Sequence, residues 1–321
     1  MKHFIYLFVL LCYAGIKVSA QQFDIYEADY SASYKLINDG KEVELTRVIS
    51  YLIGGSLSIA IPEEVTYMNR KYKVTGIGER AFYYEQSITS ISIPNGVTYI
   101  DKLAFSNCSS VSSVTIPNSV KSIGIYAFSG CASLKSITIP NSISTLEDGV
   151  FFSCGLTTVT IPDNITSIGQ DAFSSCYWLS SISIPNSVTD IGQSAFSSCN
   201  SLKSITLPSS VKTIGEAAFY NCSLETIYSL NPEPPSLGYC TFFDGNALAF
   251  ATLYVPKGTK EKYQSSIGWK FTYIEEIEPS SINTVKLNDE GNKYIYNLNG
   301  EQLKHTQRGV NIINGKKYIL K

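Results

Sequence analysis

Apolar and polar residues alternate in short runs along this chain, and the runs return in phase. One unit reads Leu134-Lys135-Ser136-Ile137-Thr138-Ile139-Pro140-Asn141-Ser142-Ile143, then Leu146, Val150-Phe151 and Cys154. The period-two stretch around Ile137 and Ile139 predicts a short strand, and the proline, which has no N–H, ends it. The same step occurs at Ile61-Pro62, Ile93-Pro94, Ile116-Pro117, Ile161-Pro162, Ile184-Pro185 and Leu207-Pro208. From Pro94 to Pro208 the prolines recur every 23, 23, 22, 23 and 23 residues. Two further slots keep the same phase: Ile123-Gly124, Ile168-Gly169, Ile191-Gly192 and Ile214-Gly215, then Ala127-Phe128, Ala172-Phe173, Ala195-Phe196 and Ala218-Phe219. So regular a period predicts a repeat solenoid, in which stacked copies of the strand form a parallel sheet. No single unit can bury its own Ile, Val, Phe and Cys, so each must fold against its neighbours.

The pattern changes at both ends. Residues 21–60 are rich in Tyr and in alternating apolar residues, as in Phe23-Asp24-Ile25 and Leu57-Ser58-Ile59-Ala60-Ile61, and are expected to form a β cap over the first repeat. Between Pro62 and Pro94 the insertion Tyr67-Met68-Asn69-Arg70-Lys71-Tyr72 reads as a small hairpin. The solenoid proper is expected over 61–278, with Asn231-Pro232-Glu233-Pro234-Pro235 breaking the rhythm before an atypical closing unit. A small β module is expected at 279–321, where Tyr294-Ile295-Tyr296-Asn297-Leu298 turns at Asn299-Gly300 and Val310–Ile313 turns at Asn314-Gly315 into Lys316-Lys317-Tyr318-Ile319-Leu320.

The Ile-x-Ile-Pro, Val-x-x-Ile-Gly, Ala-Phe and following Cys slots resemble the leucine-rich repeat superfamily, and within it the BspA-like bacterial surface proteins. The resemblance covers roughly residues 57–274 and includes the closing segment Leu253-Tyr254-Val255-Pro256-Lys257-Gly258-Thr259, Tyr263 and Gly268-Trp269-Lys270. It implies a right-handed solenoid with the parallel sheet on the concave face, and adhesion to host or bacterial proteins. The terminal module resembles carboxyl-terminal sorting modules of bacterial surface proteins but lacks an upstream Pro-Asn-Pro element; it reads either as a sorting or anchoring segment or as a plain terminal β module.

Charge narrows the functional classes. A net charge of −2 with no basic stripe argues against nucleic acid as a partner. Residues 1–20 read as a signal peptide, with Lys2 and His3 ahead of the apolar run Phe4–Ala14 and Val18-Ser19-Ala20 as exit. Export to the cell surface or medium follows. The apolar run is too short to span a bilayer, no other segment could, and Cys12, preceded by Leu10-Leu11, is a poor lipid-attachment site.

Catalytic and metal chemistry find little material. Beyond the first twenty residues the sole histidine is His305, which removes Ser-His-Asp and Cys-His arrangements and most zinc sites. Glu147-Asp148 is an adjacent acidic pair in a turn, with no second acid placed opposite it. The expectation is no enzyme activity, no cofactor and no metal site. Cys108, Cys131, Cys154, Cys176, Cys199 and Cys222 share one slot, so stacking places them in a structural column. Export permits disulfides, but pairing equivalent neighbours would break the repeat, and a ladder of buried thiols is the alternative.

The outward strand positions carry the binding expectation. Ser90 and Ser92, Ser113 and Thr115, Ser136 and Thr138, Thr158 and Thr160, Ser181 and Ser183, Ser204 and Thr206, then Thr226 and Tyr228 flank the buried apolar residues. Strands about 4.8 Å apart would set these in two hydroxyl columns, which either solvate an exposed sheet or dock an extracellular protein or glycan. After the column Cys, where other repeats carry Ser109-Ser110, Ala132-Ser133 or Asn200-Ser201, one repeat has Tyr177-Trp178. Large aromatics in a small-residue slot are candidate binding anchors or pack on the next loop; Tyr83-Tyr84 and Ile125-Tyr126 are lesser cases. The function expected is an adhesion or binding module. The rival is a structural protein that self-associates into a surface layer without a dedicated ligand.

Overall fold

The structure is a computed structural model. It describes residues 22–51, 56–242 and 251–277, together with the backbone strands Asn283–Leu287, Lys293–Tyr296, Gln302–Leu303, Gly309–Ile313 and Lys316–Leu320. The expected signal peptide, the Asn299-Gly300 and Asn314-Gly315 turns and His305 lie outside the described residues.

Each repeat makes one coil of a parallel β-solenoid of about eight turns. Two strands per coil build it. The outer-face strand follows the Ile-x-Ile pattern, as in Ile88–Ser92, Ser113–Thr115, Thr158–Thr160, Ser181–Ser183, Ser204–Leu207, Thr226–Ser229 and Thr252–Pro256. All pairings between successive copies are parallel and in register, so Thr158 faces Ser181 and Thr160 faces Ser183. The sheet comes in segments: Ser136–Thr138 is joined only by the bridge from Thr138 to Thr160. A second ladder, not anticipated from the periodicity, is made by two-residue strands that end in the Ile of the Ile-Gly slot, such as Ser167–Ile168, Asp190–Ile191 and Thr213–Ile214.

Crowding explains the glycine that follows. A Cβ at Gly192 would lie 2.6 Å from the backbone of Gly169 in the coil before it, closer than real carbon contacts allow. The single-residue shortening at Cys154-Gly155-Leu156, which accounts for the 22-residue step, needs glycine for the same reason: a Cβ there would stand 1.9 Å from the Ala132 carbonyl oxygen.

The third wall of each coil has no strand, and its backbone is set by left-handed residues. Arg80, Leu103, Tyr126, Asp171, Ser194, Ala217 and Cys240 form one such column, and Tyr84, Asn107, Ser153, Ser175, Ser198 and Asn221 another, all with φ between +49° and +65°. Non-glycine residues there cost about 1–2 kcal/mol each. Hydrogen bonds to the next coil oppose that cost. Asp171 N–H donates to Gln193 O at 2.9 Å, Phe173 N–H to Ala195 O at 2.8 Å and Ser175 N–H to Ser197 O at 2.7 Å. Between the two columns the Ala-Phe pair turns inward.

The core is a set of stacked columns. Phe82, Phe105, Phe128, Phe151, Phe173, Phe196 and Phe219 are 0% exposed, and successive rings from Phe82 to Phe242 stack at 4.9–5.8 Å with interplanar angles of 5–26°. The column ends on Trp269 and Phe271, tilted and edge-on to Phe242. Trp269 Nε1 donates to Pro235 O at 2.9 Å, and the buried Tyr263, from the six-residue helix Lys260–Ser265, meets Trp269 edge-on at 4.9 Å. This closes the core with large aromatics where no further coil supplies a Phe.

At the amino end Gln22–Tyr26, Tyr30–Ile37 and Glu42–Ser50 pair antiparallel, and the last of them joins Arg70–Ile77 in parallel, extending the second ladder. Glu64–Tyr67 and Arg70–Ile77 make the inserted hairpin, turning at Met68-Asn69 with φ of +48° and +60°. Leu57–Ala60 pairs with Ile88–Ser92 and so starts the face sheet. The terminal strands form their own five-stranded sheet, in which Gly309–Ile313 and Lys316–Leu320 run antiparallel.

Candidate functional site

Hydroxyls of identical type divide into two populations. In the position after Pro-Asn, or its equivalent, Ser119 donates to Val97 O at 2.7 Å, Ser187 to Ile165 O at 2.5 Å and Ser210 to Val188 O at 2.7 Å; Ser142 makes the same bond to Val120 O. Just ahead of the face strands, Ser112 donates to Thr89 O, Thr157 to Lys135 O and Ser180 to Thr157 O, at 3.1–3.3 Å. Each of these ties one coil to the previous one.

The outward hydroxyls from Ser136 to Thr206 are different, whereas the earlier Ser90 Oγ donates to Ser58 Oγ in its own column at 2.8 Å. Ser136, Thr138, Thr158, Thr160, Ser181 and Ser183 are exposed, and Ser204 and Thr206 half-buried. None of their side chains forms a hydrogen bond among the described residues. Strand register places Thr158 beside Ser181 and Ser204 beside Thr226 in one column, and Thr138, Thr160 and Ser183 in the other. No charged residue enters either column between Ser136 and Thr206. The nearest ion pair, Lys203 with Glu225 at 3.3 Å, sits one position before the strands.

Tyr177 and Trp178 lie between the buried Cys176 and the strand Ser181–Ser183, at the margin of this face. Their backbone is held, since the N–H and Oγ of Ser201 both bond Tyr177 O, at 3.2 and 2.7 Å. Their side chains are 52% and 62% exposed and make no ring contact or hydrogen bond among the described residues. The lesser aromatic sites have local partners: Tyr83 meets Tyr84 edge-on at 4.6 Å with Arg80 over its ring, and Tyr126 meets Phe152 at 6.0 Å.

Tyr228 does not continue the exposed columns. It holds the outward slot opposite Thr206, yet it is 4% exposed and stacked on Tyr254 at 4.9 Å. The register carries the columns further than the hydroxyl pattern did, through Thr252 and Tyr254 to Tyr273 and Glu275. Leu253-Tyr254-Val255-Pro256 matches the Ile-x-Ile-Pro slot, so this extension was readable from the sequence.

The column cysteines Cys108, Cys131, Cys154, Cys176, Cys199 and Cys222 are buried and unbridged. Each thiol points at the carbonyl of a Phe in the preceding coil, from Cys108 Sγ to Phe82 O at 2.9 Å through to Cys222 Sγ to Phe196 O at 3.0 Å. A small apolar side chain with one weak donor suits that slot. Burial pushes the Cys176 thiol up to about 12 and raises Cys108 and Cys154 as well, so these three are not ready nucleophiles. No group of three or more His, Cys, Asp or Glu among the described residues could hold a metal ion, and no helix among them is long and apolar enough to cross a membrane.

Coils stacked in register, a Phe column and a hydroxyl face define a leucine-rich repeat solenoid, a class that serves in general as an interaction scaffold. The sequence matches the BspA type leucine-rich repeat region, in six copies, over residues 60–179 and 166–278, and the chain belongs to that family. Among solved structures it is similar to a leucine-rich repeat protein from Bacteroides ovatus, at 26% identity and a TM-score of 0.59, covering 79% of this chain and 77% of that one. It is also similar to a leucine-rich cell surface protein from Faecalibacterium prausnitzii, at 26% identity and a TM-score of 0.49, covering 73% and 76%. No curated protein matches the chain.

Proposed function

We propose that this protein is an exported, non-enzymatic binding module of the bacterial surface. Its ligand, an extracellular protein or glycan, lies on the face formed by Ser136, Thr138, Thr158, Thr160, Ser181, Ser183, Ser204 and Thr206, with Tyr177 and Trp178 at the margin. The observation that carries this reading is the division of the hydroxyls. Those needed by the fold bond the neighbouring coil, whereas those of the face have no internal partner. Export is supported by the targeting pattern of residues 1–20, and membership of the BspA type repeat family supports a surface address.

The test is a binding screen of the mature protein against glycans and extracellular-matrix proteins. With a ligand in hand, the double change Tyr177→Ser and Trp178→Ser should weaken binding at least about tenfold, equivalent to roughly 1.4 kcal/mol, and leave thermal unfolding unchanged. A face without charges gives little long-range steering, so affinity should depend only mildly on salt. Unaltered affinity in the double variant would remove the aromatic pair from the site. Concentration-dependent self-association without any ligand would overturn the reading in favour of a surface array.

A further inference from the structure

A buried hydroxyl without a partner marks the carboxyl end of the face. Tyr228 is 4% exposed, and its phenol makes no hydrogen bond among the described residues. Buried polar groups are almost always satisfied, and an orphan costs about 1–3 kcal/mol. Strand alternation directs this side chain outward, because Ile227 before it and Ser229 after it face the core, at 0% exposure each. The phenol therefore lies on the outward side of the sheet, the side of the hydroxyl columns.

Its neighbours differ from those of the earlier coils. In register on one side is Thr206; on the other the Tyr254 ring stacks at 4.9 Å with an interplanar angle of 16°, and Glu275 follows in the same column. Thr226 occupies the parallel column beside them. The half-buried Tyr254 ring, the hydroxyls of Thr206 and Thr226, the Tyr228 phenol and a carboxylate together form the chemistry that recognises a pyranose, with ring C–H groups against a π face and sugar hydroxyls shared between donors and acceptors. The exposed carboxylate of Glu275 stands in this column, which disfavours uronic acids and phosphates.

We propose that Thr206, Thr226, Tyr228, Tyr254 and Glu275 form a subsite for one sugar unit of an uncharged glycan, with the Tyr228 phenol hydrogen-bonded to a sugar hydroxyl. The inference rests on the binding-face reading above and narrows its ligand to a neutral saccharide. A protein ligand would need an apolar centre to desolvate, and the hydroxyl columns between Ser136 and Thr206 contain none.

The experiment is calorimetric titration of the full mature chain with soluble neutral gluco-, galacto- and manno-oligosaccharides, and with an acidic uronate oligosaccharide as contrast. Tyr228→Phe keeps the ring and removes only the unpaired hydroxyl, so it should fold with a midpoint at or above the parent's, and Glu275→Gln alters an exposed side chain and should leave the midpoint unchanged. The expected result is binding of a neutral oligosaccharide that each change weakens about tenfold. Saccharide binding indifferent to both changes, or preference for the uronate, would overturn the subsite. Capture of a protein ligand that depends on Tyr177 and Trp178, with no saccharide bound, would overturn the subsite while the binding-module reading stands. Binding of neither class would overturn both.

Discussion

Replacing Phe173 by Ala tests the stacked core most directly. The side chain is 0% exposed, and its ring lies 5.5 Å from Phe151 and 5.4 Å from Phe196. Truncating a buried Phe costs about 3–5 kcal/mol through lost transfer energy and the cavity left behind, and two aromatic pairs worth about 0.5–1.5 kcal/mol each are broken at once. Surrounding coils cannot collapse into the gap, because the intercoil hydrogen bonds of Asp171, Phe173 and Ser175 fix the spacing. Since 1 kcal/mol shifts the midpoint of a domain this large by about 2–4 °C, the variant should melt roughly 10 °C or more below the parent. In an array of nearest-neighbour contacts the damage falls on two interfaces in mid-solenoid, so the transition should also broaden as the two halves uncouple. Calorimetry and urea unfolding measure both effects, with Phe152→Ala as control, since Phe152 is only half-buried. A midpoint equal to the parent's, or equal losses in the two variants, would refute the stacked-column account.

The column thiols should resist alkylation in native protein and all react after denaturation, as read by mass spectrometry; ready native labelling would contradict their burial. Alkaline pH should destabilise the fold. Burial pushes the Cys176 thiol up to about 12 from the ordinary thiol range, so its contribution is complete below about pH 9 and is lost as pH rises towards 12, as denaturant titrations across that window would show. Ser187→Ala removes a bond to Ile165 O and should cost about 1 kcal/mol, whereas Ser183→Ala, on the free face, should be neutral within about 0.5 kcal/mol; equal effects in chemical denaturation would dissolve the distinction between the two hydroxyl populations.

The sequence showed the coil period, the inward slots and the closing aromatics, because burial demands particular residue types at particular spacings. Phe128, Phe173 and Cys176 could be placed on those grounds alone. The left-handed columns were not legible, since Arg80, Leu103, Asp171 and Ala217 share a backbone shape without sharing any side-chain chemistry. Nor could Ser187 be told from Ser183: both are serines in polar slots, and only the position of the neighbouring carbonyl separates them. Tyr228 read as one more surface hydroxyl because the stacking of Tyr254 upon it joins residues from two coils, a relation that alternation within one strand does not encode.

Every coil offers its successor the same donors from the same wall, at Asp171, Phe173 and Ser175 and again at Ser194, Phe196 and Ser198. Length in this protein is thus quantised. A whole unit added or removed between the caps would meet its neighbours' hydrogen bonds and rings unchanged, while the loss of one residue is confined to the loop after the column cysteine, at Gly155, where a Cβ would meet the Ala132 carbonyl, and at Ser223. The reach of the hydroxyl face can therefore vary by duplication of complete coils without any redesign of the core or of the two ends that seal it.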